Sequence, residues 1–218
     1  MVATVSLNAQ SVVVITGSSR GLGLEFVRQL LDTTESHVVA TARDPQKADA
    51  LTALAKQQPD RLKLVALDTG DESSIKAAAK EVASLYSGVD LLINNAGIDE
   101  GVETPVLELD AATYEKILKV NVNPVGNKWI AYNASKAALN MQSSVFANEL
   151  KKDKFCVVSL EPGWVDTDMG GGNARKMGME KAPTDAHHSI STMLKTIQQL
   201  SIKDSGEFLT IDGNKMDY

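Results

Sequence analysis

The stretch that decides the fold is SVVVITGSSRGLGLEFVRQLL, residues 11–31. Its first six residues form a short apolar run that predicts a strand, and residues 22–31 carry apolar side chains at helical spacing. Between them, Gly17 permits a tight turn, Gly21 lets the backbone approach a pyrophosphate, and Gly23 permits close packing of helix on strand. This order of strand, turn and helix indicates a dinucleotide-binding turn. A tight turn with a purely structural role is the alternative.

Strands and helices alternate along the rest of the chain. Further strands are predicted at 37–41, 62–67, 90–94, 155–160 and 207–211, and further helices at 49–57, 73–86, 114–122 and 132–150. Near-continuous apolar strands between helices predict a parallel sheet covered on both faces. The fold class is therefore α/β, a Rossmann-type doubly wound sheet, as a single domain over residues 1–218. Residues 169–183, rich in Gly, Met and charge, are predicted to form a mobile loop beside the site.

Composition excludes several functions. The 218 residues carry a net charge of -6, so there is no basic footprint for nucleic acid or an anionic membrane. No apolar run approaches the roughly 20 residues that span a bilayer. The first residues lack a charged and apolar leader pattern, so we expect a cytoplasmic protein. Cys156, the single cysteine, lies in an apolar run and is predicted to be a buried strand residue.

The end of the second strand predicts the type of dinucleotide. An NAD site favours a carboxylate here, whereas an arginine can pair with the 2′-phosphate of NADP. Arg43 occupies this position, and Arg20 inside the glycine turn can approach the same phosphate. NADP(H) is therefore the predicted cofactor. The carboxylate of Asp44, one residue further on, argues against NADP(H). The alternative is that Arg43 is only a solvated charge at the start of a helix and binds no cofactor.

Four motifs follow one another along the chain: the glycine turn, Asn94-Asn95-Ala96-Gly97, Asn121, and Tyr132-x-x-x-Lys136. Together they resemble the short-chain dehydrogenase/reductase family over nearly the whole chain. The segment 162–169, PGWVDTDM, and the ending 206–213, GEFLTIDG, resemble those of C-factor and sniffer-like carbonyl reductases. They are also similar to those of fungal ketoreductases of the norsolorinic acid type.

The resemblance implies a role for each motif residue. Asp68 would meet the adenine, Asn95 with Ala96 and Gly97 would line the adenosine ribose, and Val165 with Thr167 would hold the carboxamide. Tyr132 would be the general acid, Lys136 would bind the nicotinamide ribose and lower the pKa of Tyr132, and Asn121 would hold a relay water. The full set of implied cofactor-binding residues is Gly17, Ser19, Arg20, Gly21, Leu22, Gly23, Arg43, Asp68, Asn95, Ala96, Gly97, Tyr132, Lys136, Pro162, Val165 and Thr167.

Elementary chemistry agrees with these roles. Hydride delivery to a carbonyl builds negative charge on oxygen, so a proton donor is needed nearby. Tyrosine has a pKa near 10 in water, and an ammonium close to it favours the phenolate. Lys136 lies one helical turn from Tyr132, on the same face. The adjacent His187 and His188 lack further ligands, so no metal site is predicted.

One expected part is missing from the chain. In the family that the chain resembles, a helix end, a loop, a fifth strand and a catalytic serine separate the positions of Asn121 and Tyr132. Here only ten residues lie between them, with no serine among them. We estimate a deficit of roughly 40 residues. Without the fifth strand, the sixth strand would have to slide against the fourth, or the sheet would split. Three explanations of this deficit are open. The sequence omits a segment that the protein has, the gene model or splice product is faulty, or the protein is truly shortened.

The sequence therefore predicts an NADPH-dependent oxidoreductase that reduces a ketone or aldehyde to an alcohol through Tyr132, Lys136 and Asn121. The expected partner is a small carbonyl substrate, without nucleic acid or membrane, and a homodimer is an assembly that the resemblance allows. The rival is an NADP(H)-binding regulatory or interaction protein that is catalytically impaired because it lacks the serine. A third alternative is an α/β scaffold that binds no nucleotide.

Overall fold

The computed structural model describes residues 4–98, 112, 113, 115, 117 and 130–217. The chain divides into two compact units, and each is described by itself. The four-stranded unit comprises Ser6–Ala96 and Asp166–Ile190. The two-stranded unit has its described residues within 4–5, 97–165 and 191–217.

The regular elements follow one another in the order expected of an α/β protein. They are β1 Val12–Ile15, α1 Gly21–Thr33, β2 His37–Ala42, α2 Asp49–Gln57, β3 Leu62–Ala66, α3 Glu72–Leu85, β4 Leu91–Ile93, α4 Ile130–Glu149, β5 Ser159–Glu161, α5 Asp168–Lys176, α6 Ala186–Gln199 and β6 Phe208–Thr210. Short 3-10 turns lie at Pro45–Lys47, Leu150–Asp153 and Ile202–Asp204. No described helix is long and apolar enough to cross a bilayer.

The four-stranded sheet is parallel throughout, in the order β3-β2-β1-β4. In its register, Val13 of β1 lies between Val38 of β2 and Leu91 of β4. This order is one half of a doubly wound sheet, in which the chain reverses direction across the sheet beside β1. The carboxyl ends of β1, β2 and β4 therefore meet at one edge, where the glycine turn begins.

The core of this unit explains why β1 and β2 are almost entirely apolar. Val12 and Val14 point to one face and pack in a cluster with Val39, Val65 and residues of α3. The alternate residues of β1 point to the other face, and Ile15 is fully buried. Both faces are thus covered, as in parallel sheets generally.

Arg61 closes the carboxyl end of α1. Its guanidinium donates to four backbone carbonyls, those of Leu30, Leu31, Thr34 and Ser36, at 2.6–3.4 Å. The last carbonyls of a helix have no partner within the helix, and a cation there also complements the dipole. Arg61, just before β3, thereby fixes the end of α1 beside β2.

The two-stranded unit contains β5 and β6, which pair in parallel with Leu160 opposite Leu209. The predicted strand 155–160 is wrong in its first part, because β5 begins only at Ser159. The chain before it is held by a loop instead of a ladder: Val157 N donates to Ser205 Oγ and Gly206 N donates to Val157 O. Cys156 is accordingly outside the strand and half-buried, which corrects its predicted place in a buried strand.

The predicted fold class is confirmed: parallel strands alternate with flanking helices. Among the described residues, β5 and β6 form a two-stranded sheet and β1 to β4 form a four-stranded sheet. Residues 118–129, where the deficit was located, lie outside the described residues, so the two expected consequences of a missing fifth strand stay predictions. The strand order of the four-stranded sheet ends at β4, and Leu92 in the middle of that strand is 54% exposed. Of the predicted helix 114–122, Glu115 and Ile117 are described and are helical, and the remainder lies outside the described residues.

The predicted loop at 169–183 is wrong for its first half, which belongs to α5. Thr167 caps this helix by accepting a hydrogen bond from Gly170 N at 3.2 Å. Glycine is a poor helix former, yet a Cβ at Gly171 would lie 2.1 Å from Asp166 Oδ1. Close approach of the preceding turn therefore requires a glycine there. The mobility of 169–183 stays a prediction.

Candidate functional site

The glycine turn between β1 and α1 is pressed against the end of β4. Gly17 and Gly21 have φ angles of 68° and 57°, which favour glycine. A Cβ on Gly17 would lie 2.7 Å from Ala96 Cα, and one on Gly23 would lie 2.4 Å from Gly17 O. Gly17 and Gly23 are therefore needed for packing within the turn itself, beyond any ligand.

Thr16 and Asn95 join the turn to β4 by side-chain hydrogen bonds. Thr16 Oγ1 accepts from Asn95 N at 2.9 Å and from Ala96 N at 3.1 Å. In return, Asn95 Nδ2 donates to the carbonyls of Thr16 and Gly17 at 2.9 and 3.0 Å. These hydrogen bonds, between positions far apart in the sequence, fix the backbone of the turn relative to the end of β4.

A further hydrogen bond joins the turn to β2. Ser18 N donates to Thr41 O at 2.7 Å, one residue before the end of that strand. Arg43 follows directly and is exposed. Asp44, which argued against NADP, pairs with Lys47 at 2.7 Å, and this pairing lowers the pKa of the Asp44 carboxyl. The acid at the end of β2 is thus already engaged by a cation of its own.

The amino end of α1 is arranged differently from those of α3 and α5. Asp71 and Thr167 cap the latter two by accepting from backbone N–H groups. At α1, among the described residues, Arg20 stands at the cap and its side chain makes no capping hydrogen bond, and the first turn contains no acid. Free N–H groups and the positive end of a helix dipole fit a phosphate group.

The start of α5 lies beside this turn. A Cβ on Gly21 would be in ordinary contact with Thr167, 3.7 Å from its Cγ2. Arg20 Nη1 lies 2.9 Å from Asp168 Oδ2, and both side chains are mostly exposed. The structure therefore brings Thr167, predicted to hold the carboxamide, to the glycine turn.

Asp68 follows β3 at the same edge of the sheet and is half-buried. Its Oδ1 accepts from Gly70 N at 2.9 Å, and its own N–H donates to Ser74 Oγ. Ser19, exposed, and Leu22, half-buried, complete the part of the predicted set in this unit.

Tyr132 and Lys136 lie in the two-stranded unit, on the first half of α4. Lys136 Nζ is 5.9 Å from the centroid of the Tyr132 ring. Burial lowers the pKa of the Lys136 ammonium, because the charged form loses water. Ser135 between them is fully buried and donates from Oγ to Tyr132 O at 3.1 Å, so its hydroxyl is engaged by the helix backbone.

The remaining predicted residues are placed as follows. Pro162 and Val165 belong to the two-stranded unit after β5, and Val165 is buried. Gly97 is exposed, and Asn121 lies outside the described residues. Sequence reasoning assigned no role to the Thr16 hydroxyl or to Asp168, since both act through contacts distant along the chain.

A cavity of about 540 Å³ lies at the opposite, amino end of the four-stranded sheet. It is lined by residues before β1, at the start of β2 and before β4, including His37 and Tyr86. It contains none of the predicted site residues. In this unit those residues are at the carboxyl ends of the strands, where ligands of doubly wound sheets bind.

Comparison with known proteins agrees with this architecture. A family model described as short chain dehydrogenase matches residues 11–127 and 124–178, which is most of the chain. The chain therefore belongs to the short-chain dehydrogenase family, as its motifs predicted. An uncharacterised oxidoreductase of Schizosaccharomyces pombe is 30% identical over 249 positions, covering 95% of this chain and 97% of that protein.

Carbonyl reductases are among the solved structures that this chain resembles. The NADPH-bound carbonyl reductase from chicken fatty liver is 30% identical, with a TM-score of 0.84, covering 97% of this chain and 100% of the other. The carbonyl reductase Sniffer of D. melanogaster is 25% identical, with a TM-score of 0.83 and coverages of 96% and 99%. The predicted resemblance to sniffer-like carbonyl reductases is confirmed.

The comparisons also bear on the missing segment. The family match is broken into two pieces that meet at residues 124–127, directly before α4. In the alignment with the S. pombe protein, 95% of 218 residues supplies about 207, so about 42 of the 249 positions face a gap in this chain. This number agrees with the deficit of roughly 40 residues estimated from the usual lengths of strands and helices.

Proposed function

We propose that this protein binds NADPH and reduces a ketone or aldehyde to an alcohol. The observation that carries the proposal is the glycine turn, which side-chain and backbone hydrogen bonds join to β2 and β4, with an uncapped helix end behind it. A phosphate is the ligand that such a turn fits best. Family membership makes hydride transfer the chemistry to expect.

NADPH is favoured over NADH by the residues near the end of β2. Arg43 and Arg20 are both exposed cations, and Asp44 is occupied by Lys47. An arginine recognises a 2′-phosphate, whereas a carboxylate recognises the free ribose hydroxyls. The similar carbonyl reductase from chicken fatty liver, bound to NADPH, supports the same choice.

When bound, NADPH supplies the hydride. Tyr132 then provides the proton to the oxygen of the carbonyl, and Lys136 supports the phenolate that remains. The burial of Lys136 suits this role, because a charge acts more strongly where water is excluded. Asn121 completes the proposed relay, and recognition of the substrate is assigned to residues 169–183, where Met177 is 66% exposed.

The absent serine sets the expected rate. Loss of one donor to the developing oxyanion costs on the order of 10²–10³ in rate. Ser135 does not replace it, since its hydroxyl is buried against the backbone of α4. We therefore expect slow turnover. The second candidate, NADP(H) binding without turnover, is favoured by the broken family match.

A homodimer is proposed through α4. Met141 and Val145 lie one turn apart on its outer face and are 65% and 44% exposed, with Phe146 beside them. Exposed apolar side chains grouped in this way are typical of interaction surfaces. Analytical ultracentrifugation of the wild type and of Met141→Glu tests this: a dimer that the substitution dissociates is expected, and a wild-type monomer contradicts it.

The experiment that separates enzyme from binding protein compares cofactor binding with turnover. NADPH affinity is measured by fluorescence titration, and NADPH oxidation is followed with a panel of ketones and aldehydes. Tyr132→Phe, which keeps the ring and removes the hydroxyl, should leave most of the affinity and abolish oxidation. The control Tyr86→Phe, at the amino end of the four-stranded sheet, should change neither. Binding without oxidation in the wild type would support the second candidate, and failure to bind NADPH or NADH would refute both.

A further inference from the structure

The ion pair between Arg20 and Asp168 lies where two helices begin. Arg20 is the cap residue of α1, and Asp168 is the first residue of α5. The neighbouring residues are also close together: a Cβ built on Gly21 would be in van der Waals contact with Thr167. The positive ends of two helix dipoles therefore meet beside the Arg20 guanidinium. This combination attracts an anion, and the Asp168 carboxylate is the anion that the chain itself provides.

We propose that Asp168 is a specificity-determining residue, because it competes with the 2′-phosphate of NADP(H) for Arg20. The inference rests on the proposed function, in which Arg20 is one of two cations for that phosphate. With Arg20 paired to Asp168 at 2.9 Å, the phosphate must share or displace the carboxylate. NADH has no 2′-phosphate, so its binding does not compete with Asp168 for this guanidinium.

The exposure of the pair sets the size of the effect. The side chains of Arg20 and Asp168 are 72% and 71% exposed, so water and salt weaken their attraction. Such pairs change equilibria by a factor of about five at most. Removing the charge of Asp168 should therefore tighten NADPH binding about two- to five-fold and leave NADH binding nearly unchanged.

The substitution Asp168→Asn isolates this charge without unfolding α5. The cap of that helix is the Thr167 hydroxyl, which accepts from Gly170 N independently of residue 168. Asparagine keeps the size and one acceptor oxygen of the aspartate. Glu207→Gln is the matched control, since it removes one negative charge from an exposed ion pair with Lys215 in the other unit.

The test measures Kd by calorimetry for NADPH, NADH, 2′,5′-ADP and 5′-AMP. It uses the wild type, D168N, E207Q, and R20Q with and without D168N. D168N is expected to raise the ratio of the NADH Kd to the NADPH Kd about two- to five-fold and to tighten 2′,5′-ADP but not 5′-AMP. E207Q should leave the ratio unchanged. The gain should vanish in the R20Q background and shrink at about 1 M salt, where the Debye length is about 3 Å.

Two results would overturn the inference in different ways. If the wild type prefers NADPH but D168N leaves the ratio unchanged or lowers it, Asp168 does not compete, and the proposed cofactor stands. If the wild type binds neither NADPH nor 2′,5′-ADP, the proposed NADP(H) function fails, and the inference fails with it.

Discussion

The hydroxyl of Thr16 gives the sharpest test of how the glycine turn is held. This side chain is 6% exposed, and its oxygen is the acceptor for the N–H groups of Asn95 and Ala96. Thr16→Val keeps the shape and removes the acceptor, so two backbone donors lose this partner. Each such group costs about 1–3 kcal/mol, so the two together cost about 2–6 kcal/mol. For a chain of this size, each kcal/mol lowers Tm by about 2–4 °C, so a loss of about 4–24 °C is expected.

Thr16→Ser is the control, because it keeps the acceptor and removes only a methyl group, at a cost of about 1 kcal/mol. Thermal unfolding by circular dichroism, with and without NADPH, compares the two variants. The valine variant should unfold well below the serine variant and gain less from NADPH, because its turn is no longer joined to β4 through this oxygen. If the valine variant is as stable as the serine variant, the hydroxyl does not hold the turn and the reasoning is refuted.

Three further predictions concern the turn, the end of α1 and the buried Lys136. Gly23→Ala places a Cβ 2.4 Å from Gly17 O and should abolish NADPH binding, whereas Gly88→Ala has open space and should not, as titration will show. Arg61→Met should lower the stability to urea by about 2–3 kcal/mol, since the guanidinium satisfies the last carbonyls of α1; an unchanged midpoint would contradict this. Burial lowers the pKa of Lys136 in the folded state, so the charged amine costs stability below that pKa, and the cost disappears as pH rises toward 10.5. Lys136→Met should therefore stabilise the protein at neutral pH, with a gain that shrinks in alkali; a loss of stability to urea at neutral pH would argue against it.

The sequence predicted those elements whose local pattern agrees with their packing. Helix α2 was predicted at 49–57 and has these bounds, because its apolar spacing and ends are local signals. The glycine turn could also be predicted, because the positive φ angles of Gly17 and Gly21 are local requirements, whereas the close approach of Gly17 to Ala96 is not. Helix α6 was missed although Ile190, Met193, Leu194 and Ile197 are at helical spacing and buried; this signal could have found it.

Other features depend on contacts between distant residues, which no local sequence pattern indicates. Helix α5 contains three consecutive glycines, which argue against a helix. It forms because Thr167 caps its amino end and because Gly171 leaves room for the side chain of Asp166. The apolar run before Ser159 is not part of β5, because Val157 in this run forms hydrogen bonds with Ser205 and Gly206 instead. The pairings of Thr16 with Asn95 and of Arg20 with Asp168 join positions 79 and 148 residues apart. Their chemistry is visible in the sequence, but their proximity is not.

The most direct test of the central claim follows the hydride itself. The protein is incubated with a carbonyl substrate and NADPH that carries deuterium at the transferable position of the nicotinamide, and the alcohol is analysed by mass spectrometry. We expect an alcohol with one deuterium on the former carbonyl carbon, and none with Tyr132→Phe. NADPH bound to the wild type without any deuterated alcohol, across a panel of ketones and aldehydes, would contradict it.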